Sequence, residues 1–428
     1  MEELLKREGS KPVNTDVEST KRAQSSPFAV RNFRLLWSGE TISLMGDQFY
    51  MLALSWLIIQ LTGSGIAVGT ILMAGGIPRV LFMLVGGAMT DRLSPRTLMI
   101  ISNAVRGVLT LILTLLVLTS TVQLWMLYVL AIAFGIAAAF FHPAYMAIVP
   151  AIVDPEQLEA SNAIVQGSGL ITQAIGPGIA GLLVSIPIVG TVIAFAFDTL
   201  TFFVTTGTLS MMHGTGISQA TQAKSQAHSN ILSDIAEGFR SVGRDPVLPP
   251  LLVIIAVINF MFTGPMSVGP TKLAQVRFVE GVQALGWIGS AFGIGALVGM
   301  VLGGVVKPKK FGLLSLMVIG ISGLCLAIIG LSQQLWVATL ASAAMGATVG
   351  FVNVLYITWM QRRVAPEMMG RIMSMVMLAS LGLGPISNAL AGLLVEVNVT
   401  GMFVGAGVLL MLTVAVSALN PQVRNIQN

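Results

Sequence analysis

Five ionisable residues interrupt long apolar stretches of this chain: Glu40, Asp47, Arg79, Arg106 and Asp198. A charge at the centre of such a stretch costs roughly 2.5–3.5 kcal/mol if the stretch crosses a bilayer. These side chains are therefore expected to face a cavity or one another. A carboxylate in a cavity that alternates between wet and dry changes its proton affinity, and a nearby cation shifts the balance again. The chemistry on offer is loading and release of a proton. Asp47 and Arg79 lie at similar depth in adjacent antiparallel stretches, each about a dozen residues from the same end. An Asp47–Arg79 charge pair is the expectation, with Asp47 the leading proton acceptor; the alternative is a static pair that fixes packing. Glu40 precedes Asp47 by two helical turns on the same face, with Ser43 between them. It is either a relay step or a snorkelling interfacial residue. Asp198 is either a second proton or cation site or a hydrogen-bonding group to a neighbouring helix. Arg106 either pairs with one of these acids or serves a gate.

The elements that must hold them follow from composition. Of 428 residues 55% are hydrophobic and 10% charged, against about a quarter charged in a soluble domain. No single soluble core absorbs that much apolar surface, which excludes most soluble enzymes, nucleic-acid readers and disordered scaffolds. Twelve apolar stretches stand out: 36–61, 66–90, 98–119, 122–146, 160–185, 187–212, 249–271, 284–306, 311–331, 334–358, 371–395 and 400–420. Each is long enough to cross about 30 Å of hydrocarbon as a helix. Backbone amides in lipid need partners within the segment, and the alternating ten-residue strands of a barrel are absent. One cysteine, Cys325, and three scattered histidines, His142, His213 and His228, offer no disulfide framework and no metal-ligand spacing. His142, beside Pro143, reads as a helix-end residue. No cofactor is expected.

Nineteen of the 23 Lys and Arg fall on one side of this topology, two on the other (Lys272 and Arg277), and Arg79 and Arg106 lie within spans. The asymmetry predicts a multi-pass protein of the cell membrane with both termini cytoplasmic. It also accounts for the net charge of +5 without nucleic acid as a partner. Residues 1–30 are polar and read as a cytoplasmic tail. Residues 31–212 form one six-helix bundle and 249–420 a second. The polar linker 213–248 carries a short amphipathic surface helix near 234–240, and 421–428 form a second tail. An internal repeat supports the division. Val153–Glu156 returns as Val364–Glu367 and Ala180–Val184 as Ala391–Val395, with Gly176-Pro177 and Gly384-Pro385 between them. Gly86-Gly87 likewise matches Gly303-Gly304. The fold expected is all-α and membrane-integral, with twelve transmembrane helices in two pseudo-symmetric bundles.

Three sets of residues resemble the major facilitator superfamily. Gly87-Ala-Met-Thr-Asp91-Arg92-Leu-Ser-Pro-Arg96 resembles its gating loop between helices 2 and 3, with Ser94 where glycine is usual. Gly176-Pro177-Gly178-Ile-Ala-Gly181 resembles the antiporter motif of drug exporters, with Thr172 and Ala180 in place of glycines. Arg31–Trp37 with Gly46-Asp47, Phe141–Pro150, and Gly238-Phe-Arg with Asp245–Leu248 are similar to the branch holding macrolide-type and siderophore exporters. The resemblance implies proton-coupled efflux by alternating access in a monomer. Its gating residues would be Gly87, Asp91, Arg92 and Arg96, against a reading in which Arg92 and Arg96 signal topology only. Gly176, Pro177, Gly178 and Gly181 would seal the halves against ion leak, against a reading of ordinary small-residue packing.

In the family resembled, spans 1, 4, 7 and 10 line the cavity. The substrate candidates are Tyr50, Met51, Phe141, Tyr145, Asn259, Phe262, Met266, Asn353, Tyr356 and Trp359. Methionine and aromatic walls suit varied apolar ligands, because Met repacks cheaply and aromatic rings stack. The expected partners are a small amphipathic substrate, protons and the lipid bilayer. The leading function is proton-driven export of drug-like amphiphiles. Export of a siderophore or other natural product is a neighbouring alternative. A lysophospholipid translocator and a transport-dead sensor are alternatives of other classes. No nucleotide loop, metal cluster or hydrolytic triad supports an enzyme.

Overall fold

The computed structural model describes residues 26–187, 189–213, 248–306, 311–363 and 375–419. The expected surface helix near 234–240, the basic loop Lys307–Lys310, the Val364–Glu367 copy of the repeat and Arg371 lie outside them. Eleven described stretches are long and apolar enough to cross a bilayer. They are α1 (Arg31–Thr62), α2 (Gly65–Arg92), α3 (Pro95–Leu118), α4 (Leu124–Ile152), α5 (Leu158–Val184), α6 (Gly190–Ser210), α7 (Leu248–Val276), α8 (Val282–Val305), α9 (Phe311–Leu331), α10 (Leu335–Arg363) and a last segment. That segment, Gly384–Leu419, breaks at Asn398, whose backbone is extended (φ −160°, ψ 105°). The Asn398 side-chain oxygen accepts the Gly401 amide at 2.8 Å, a local cap that starts a new helix. We number the two parts α11 (384–397) and α12 (399–419). A helical run, 375–381, leads into α11 across a turn at 382–383.

Local chemistry sets the boundaries. Gly63, in the left-handed region at φ 66°, closes α1, and the Ser64 hydroxyl accepts the Ile66 and Ala67 amides to open α2. Ser94 accepts the Thr97 amide, and Pro95 occupies the first turn of α3. Prolines lie inside helices as well. The helix α4 continues through Pro143 and Pro150 to Ile152, beyond the expected end near 146. His142 is therefore mid-helix and not a helix-end residue. A proline only removes one bond, and membrane helices re-satisfy the freed carbonyl locally.

The helices form two groups of six, α1–α6 and α7–α12, held by small-residue seams. A Cβ on Gly135 of α4 would lie 2.0 Å from the Gly75 carbonyl of α2, and one on Gly299 of α8 would lie 1.9 Å from the Ala347 carbonyl of α10. The α2–α4 contact is thus repeated as α8–α10. The doubled glycines repeat their surroundings too. A Cβ on Gly86 or Gly303 would press on the α4 or α10 backbone, at Ala139 and Phe351, whereas at Gly87 or Gly304 it would meet nothing within 4 Å.

Sequence neighbours are not always spatial neighbours. The helix α1 packs chiefly on α6 and α5 and touches α2 only lightly, while α2 packs on α4 and on α11 of the other group. The contacts of α1 with α6 rather than α2 thus decide which side chains can meet inside the first group.

Candidate functional site

The charged core is built around Arg106. Residues Ser102, Asn103, Arg106, Thr110 and Thr114 form a polar stripe on α3, and all are buried. The Arg106 guanidinium lies over two rings, 4.3 Å from the Phe141 centroid and 4.6 Å from Phe202, with Phe134 at 5.9 Å. It donates to the Asn103 side-chain oxygen. Electrostatic neighbours are Asp47 and Glu40 from α1 and Asp198 from α6. An arginine suits this place, because its planar cation stacks on aromatic faces while holding acids at its edge.

The acids arrive by helix packing. Gly46 lets α1 press onto α6: a Cβ there would lie 2.3 Å from the Thr201 hydroxyl and 2.6 Å from Asp198 Oδ1. Asp198 is fully buried, and the Thr110 hydroxyl of α3 donates to its Oδ2 at 3.5 Å. Glu40 is also buried, beside Asn103, so it is a core residue and not a snorkelling one. Asp47 is half-buried. Among the described residues, Glu40 Oε1, Asn103 Nδ2, Arg106 Nε and Asp198 Oδ1 have no hydrogen-bond partner. Four orphaned polar atoms in one core are expensive, and they mark a place where a proton or a polar guest changes the energy most.

The expected Asp47–Arg79 pair is not formed. The one ion pair within 4.0 Å among the described residues is Lys272–Glu396. Asp47 feels Arg106 first and Arg79 second. Arg79 is exposed on α2. The reason is the divergence of α1 from α2 described above, since matching depth does not bring two helices together.

Two cavities are lined by six of the ten substrate candidates. The first, about 280 Å³, sits between the groups and is lined by Tyr50 and Met51 of α1, Arg79 of α2, Phe134 of α4, Thr263 of α7, and Asn388 of α11. Phe134, stacked on Tyr50 at 4.8 Å, both lines this cavity and lies 5.9 Å from the Arg106 guanidinium. The second, about 300 Å³, lies inside the α7–α12 group and is lined by Asn259, Phe262, Asn353 and Tyr356 among others. The substrate candidates thus divide between two chambers. Four of them line neither. Phe141 lies against Arg106 and stacks on Tyr145 at 5.7 Å, Met266 packs into the apolar core, and Trp359 is buried beside Tyr356. The reason is helix packing: Trp359 is buried, and Phe141, Tyr145 and Met266 are half-buried against neighbouring side chains.

The two groups meet along mirrored seams. In α5, Gly178 donates its amide to Ser290 Oγ of α8 at 2.7 Å, Pro177 packs on Gly289, and Gly181 abuts Gly286. Gly176 instead receives Gln48 and Met45 of α1. In α11, Pro385 packs on Gly76 of α2 and Gly392 abuts Gly69. At the face farthest from the termini, Lys272 Nζ donates to the Gly63 carbonyl at 2.6 Å, and Glu396 Oε2 accepts the Gly65 amide at 2.7 Å. Those two side chains of the second group thus hold the α1–α2 turn of the first.

Of the gating-loop residues, Arg96 donates from Nε to the Leu209 carbonyl at 2.7 Å and from Nη2 to the Ser210 carbonyl at 2.6 Å. A cation on the last carbonyls of α6 is a favourable helix cap. Gly87 faces open space, and the side chains of Asp91 and Arg92 lie outside the described residues. Sequence reasoning missed Asn103, Phe134 and Phe202. The Asn103, Arg106, Thr110 and Thr114 spacing is a buried-stripe signal that could have found the first.

Residues 36–388 match the family model "Major Facilitator Superfamily". The chain is 24% identical over 373 residues to macrolide efflux protein A of Streptococcus pyogenes, covering 86% of this chain and 90% of that one. It is 25% identical over 402 residues to the multidrug efflux pump Tap of Mycolicibacterium fortuitum, covering 89% and 93%. A solved bacterial homologue of the iron transporter ferroportin, in an inward-facing state, superposes with a TM-score of 0.66 at 16% identity, covering 90% of this chain and 98% of that one.

Proposed function

This chain belongs to the major facilitator superfamily and is a transporter rather than an enzyme, and from that premise we propose that it exports small amphipathic molecules in exchange for protons. The observation that carries the reading is the buried constellation of three acids, Glu40, Asp47 and Asp198, around Arg106, with Arg79 nearby. Three carboxylates face the one buried guanidinium of Arg106, with the exposed Arg79 at the rim. Excess buried negative charge is costly, so the set favours binding a proton. Asp47 is the carrier that fits best, because it is half-buried at the edge of the set while Glu40 and Asp198 are sealed. Arg106, clamped by Phe141, Phe202 and Asn103, acts as the fixed counter-charge.

Substrate and proton then alternate through the two chambers as the six-helix groups rock about the α5–α8 and α2–α11 seams. Residues 31–212 and 249–420 are the moving bodies, in a monomer with both termini in the cytoplasm of a bacterial cell. The described arrangement, with Lys272 and Glu396 holding the α1–α2 turn, is then the state shut toward the outside. The test is transport of a dye panel by proteoliposomes under an imposed pH step. Asp47→Asn should lower gradient-driven efflux at least tenfold while the protein still inserts. Full gradient-driven efflux by that variant would eliminate Asp47 as the carrier.

A further inference from the structure

We propose that the chamber inside the α7–α12 group is a separate binding site for an uncharged, oxygen-bearing apolar ligand. This deepens the export reading and rests on it only for the consequence, not for the binding. The chamber holds about 300 Å³, the lower end of the range for small-molecule sites. It is not part of the cavity between the two groups, for its walls include α9 and α12, through Ser315, Ile319 and Leu410. None of its lining residues is ionisable except the phenol Tyr356, so a permanent charge inside would be unpaired.

Two lining hydroxyls define what the guest must offer. Ser315 Oγ and Tyr356 OH are both buried and have no hydrogen-bond partner among the described residues. Ser315 itself is 9% exposed. A ligand carbonyl, ether or ester oxygen would satisfy them, while the surrounding isoleucine, valine and phenylalanine side chains cover its apolar body. Asn259 already spends one amide N–H on the Ile255 carbonyl of its own helix, at 2.9 Å.

One residue lines both chambers, Ser380. It sits on the 375–381 run, directly before the turn at 382–383. The partition between the chambers is thus the interrupted part of the helix that carries one inter-group seam. A guest in the second chamber touches no acid of the charged core. Ligand and proton would thus occupy separate places and not compete for one carboxylate.

The experiment uses the full chain in lipid nanodiscs without any pH gradient. The probe is 7-diethylamino-4-methylcoumarin, which is uncharged and carries a lactone carbonyl, with a quaternary ammonium analogue as its charged counterpart. Fluorescence is titrated against empty nanodiscs. The expected result is saturable binding of the neutral dye, at least tenfold weaker for the cationic one. Val352→Trp, which fills the chamber, should abolish the signal, and Tyr356→Phe and Ser315→Ala should each weaken it about threefold to tenfold. Asp47→Asn should leave binding unchanged, so that loss of proton coupling and loss of this site are told apart. If Val352→Trp does not give a monodisperse protein, Tyr356→Phe decides. Absence of saturable binding, equal binding of the cationic dye, or binding untouched by Tyr356→Phe and Ser315→Ala would each overturn the proposal.

Discussion

The two six-helix groups share a packing scheme and differ in charge. The α2–α4 contact of the first returns as α8–α10 in the second, and the doubled glycines meet the same kinds of neighbour in both. Yet the first group holds Glu40, Asp47, Arg106 and Asp198 at its centre, whereas the described charges of the second, Lys272, Arg277, Glu280, Arg362, Arg363 and Glu396, lie at helix ends. Among the described residues, the second group packs without such a set of charges at its centre. Small-residue seams, apolar packing and bonds at the helix ends, such as those of Arg277 to the Gly330 and Ser332 carbonyls, hold these helices together, so a central set of buried charges is not a requirement of this architecture. They are free to serve chemistry, and a buried ion set that packing does not need is a functional candidate.

The sharpest way to break that comparison is to remove Arg106. Arg106→Ala would leave three acids around an empty aromatic cage and should lower stability by about 3–5 kcal/mol, read as a fall in thermal midpoint in nanodiscs. A variant as stable as the parent would mean that the acids do not depend on it. Next comes Asp47→Asn, with its loss of at least tenfold in gradient-driven efflux. Substitutions confined to the second chamber should instead change ligand affinity and leave the proton response intact.

The repeated seams give a smaller and paired effect. Gly86→Ala and Gly303→Ala drive a methyl into a backbone, 2.6 Å from the Ala139 carbonyl and 2.9 Å from the Phe351 carbonyl, and should each destabilise by about 1–3 kcal/mol. Gly87→Ala and Gly304→Ala should be neutral or slightly stabilising, within about 1 kcal/mol. Thermal unfolding of the four variants checks whether the repeat is one of environment or of sequence alone. The smallest effect belongs to Lys272→Ala and Glu396→Gln. Glu396 is 37% exposed, and screened pairs are worth about 0.2–1 kcal/mol. Spin-label distances across the face farthest from the termini should show the open population rising by about fivefold at most.

The all-helical membrane fold and its two halves were legible because hydropathy and internal repetition report on lipid and on duplication. Arg106 and Asp198 were legible as buried charges for the same reason. Which residues meet was not legible. Arg79 matched Asp47 in depth, but α1 leans on α6 through Gly46, and helix neighbours are chosen by side-chain fit across whole faces. The aromatic half of the Arg106 cage was hidden because Phe134, Phe141 and Phe202 look like any other membrane phenylalanine until α3, α4 and α6 converge. The division of the substrate candidates into two chambers was hidden likewise, since it depends on the walls given by α9, α11 and α12.

Lys272 and Glu396 grip main-chain atoms, one at the closing carbonyl of α1 and the other at the opening amide of α2. Such a grip does not read the side chains of the turn it holds. Changes of side chain there would leave the clasp intact so long as the bend survives, while dissolved ions, which compete for both of its charged ends, would ease it. The looseness of that rim is then set by the medium bathing it, and by the curvature that Gly63 permits, more than by the identity of the residues it encloses.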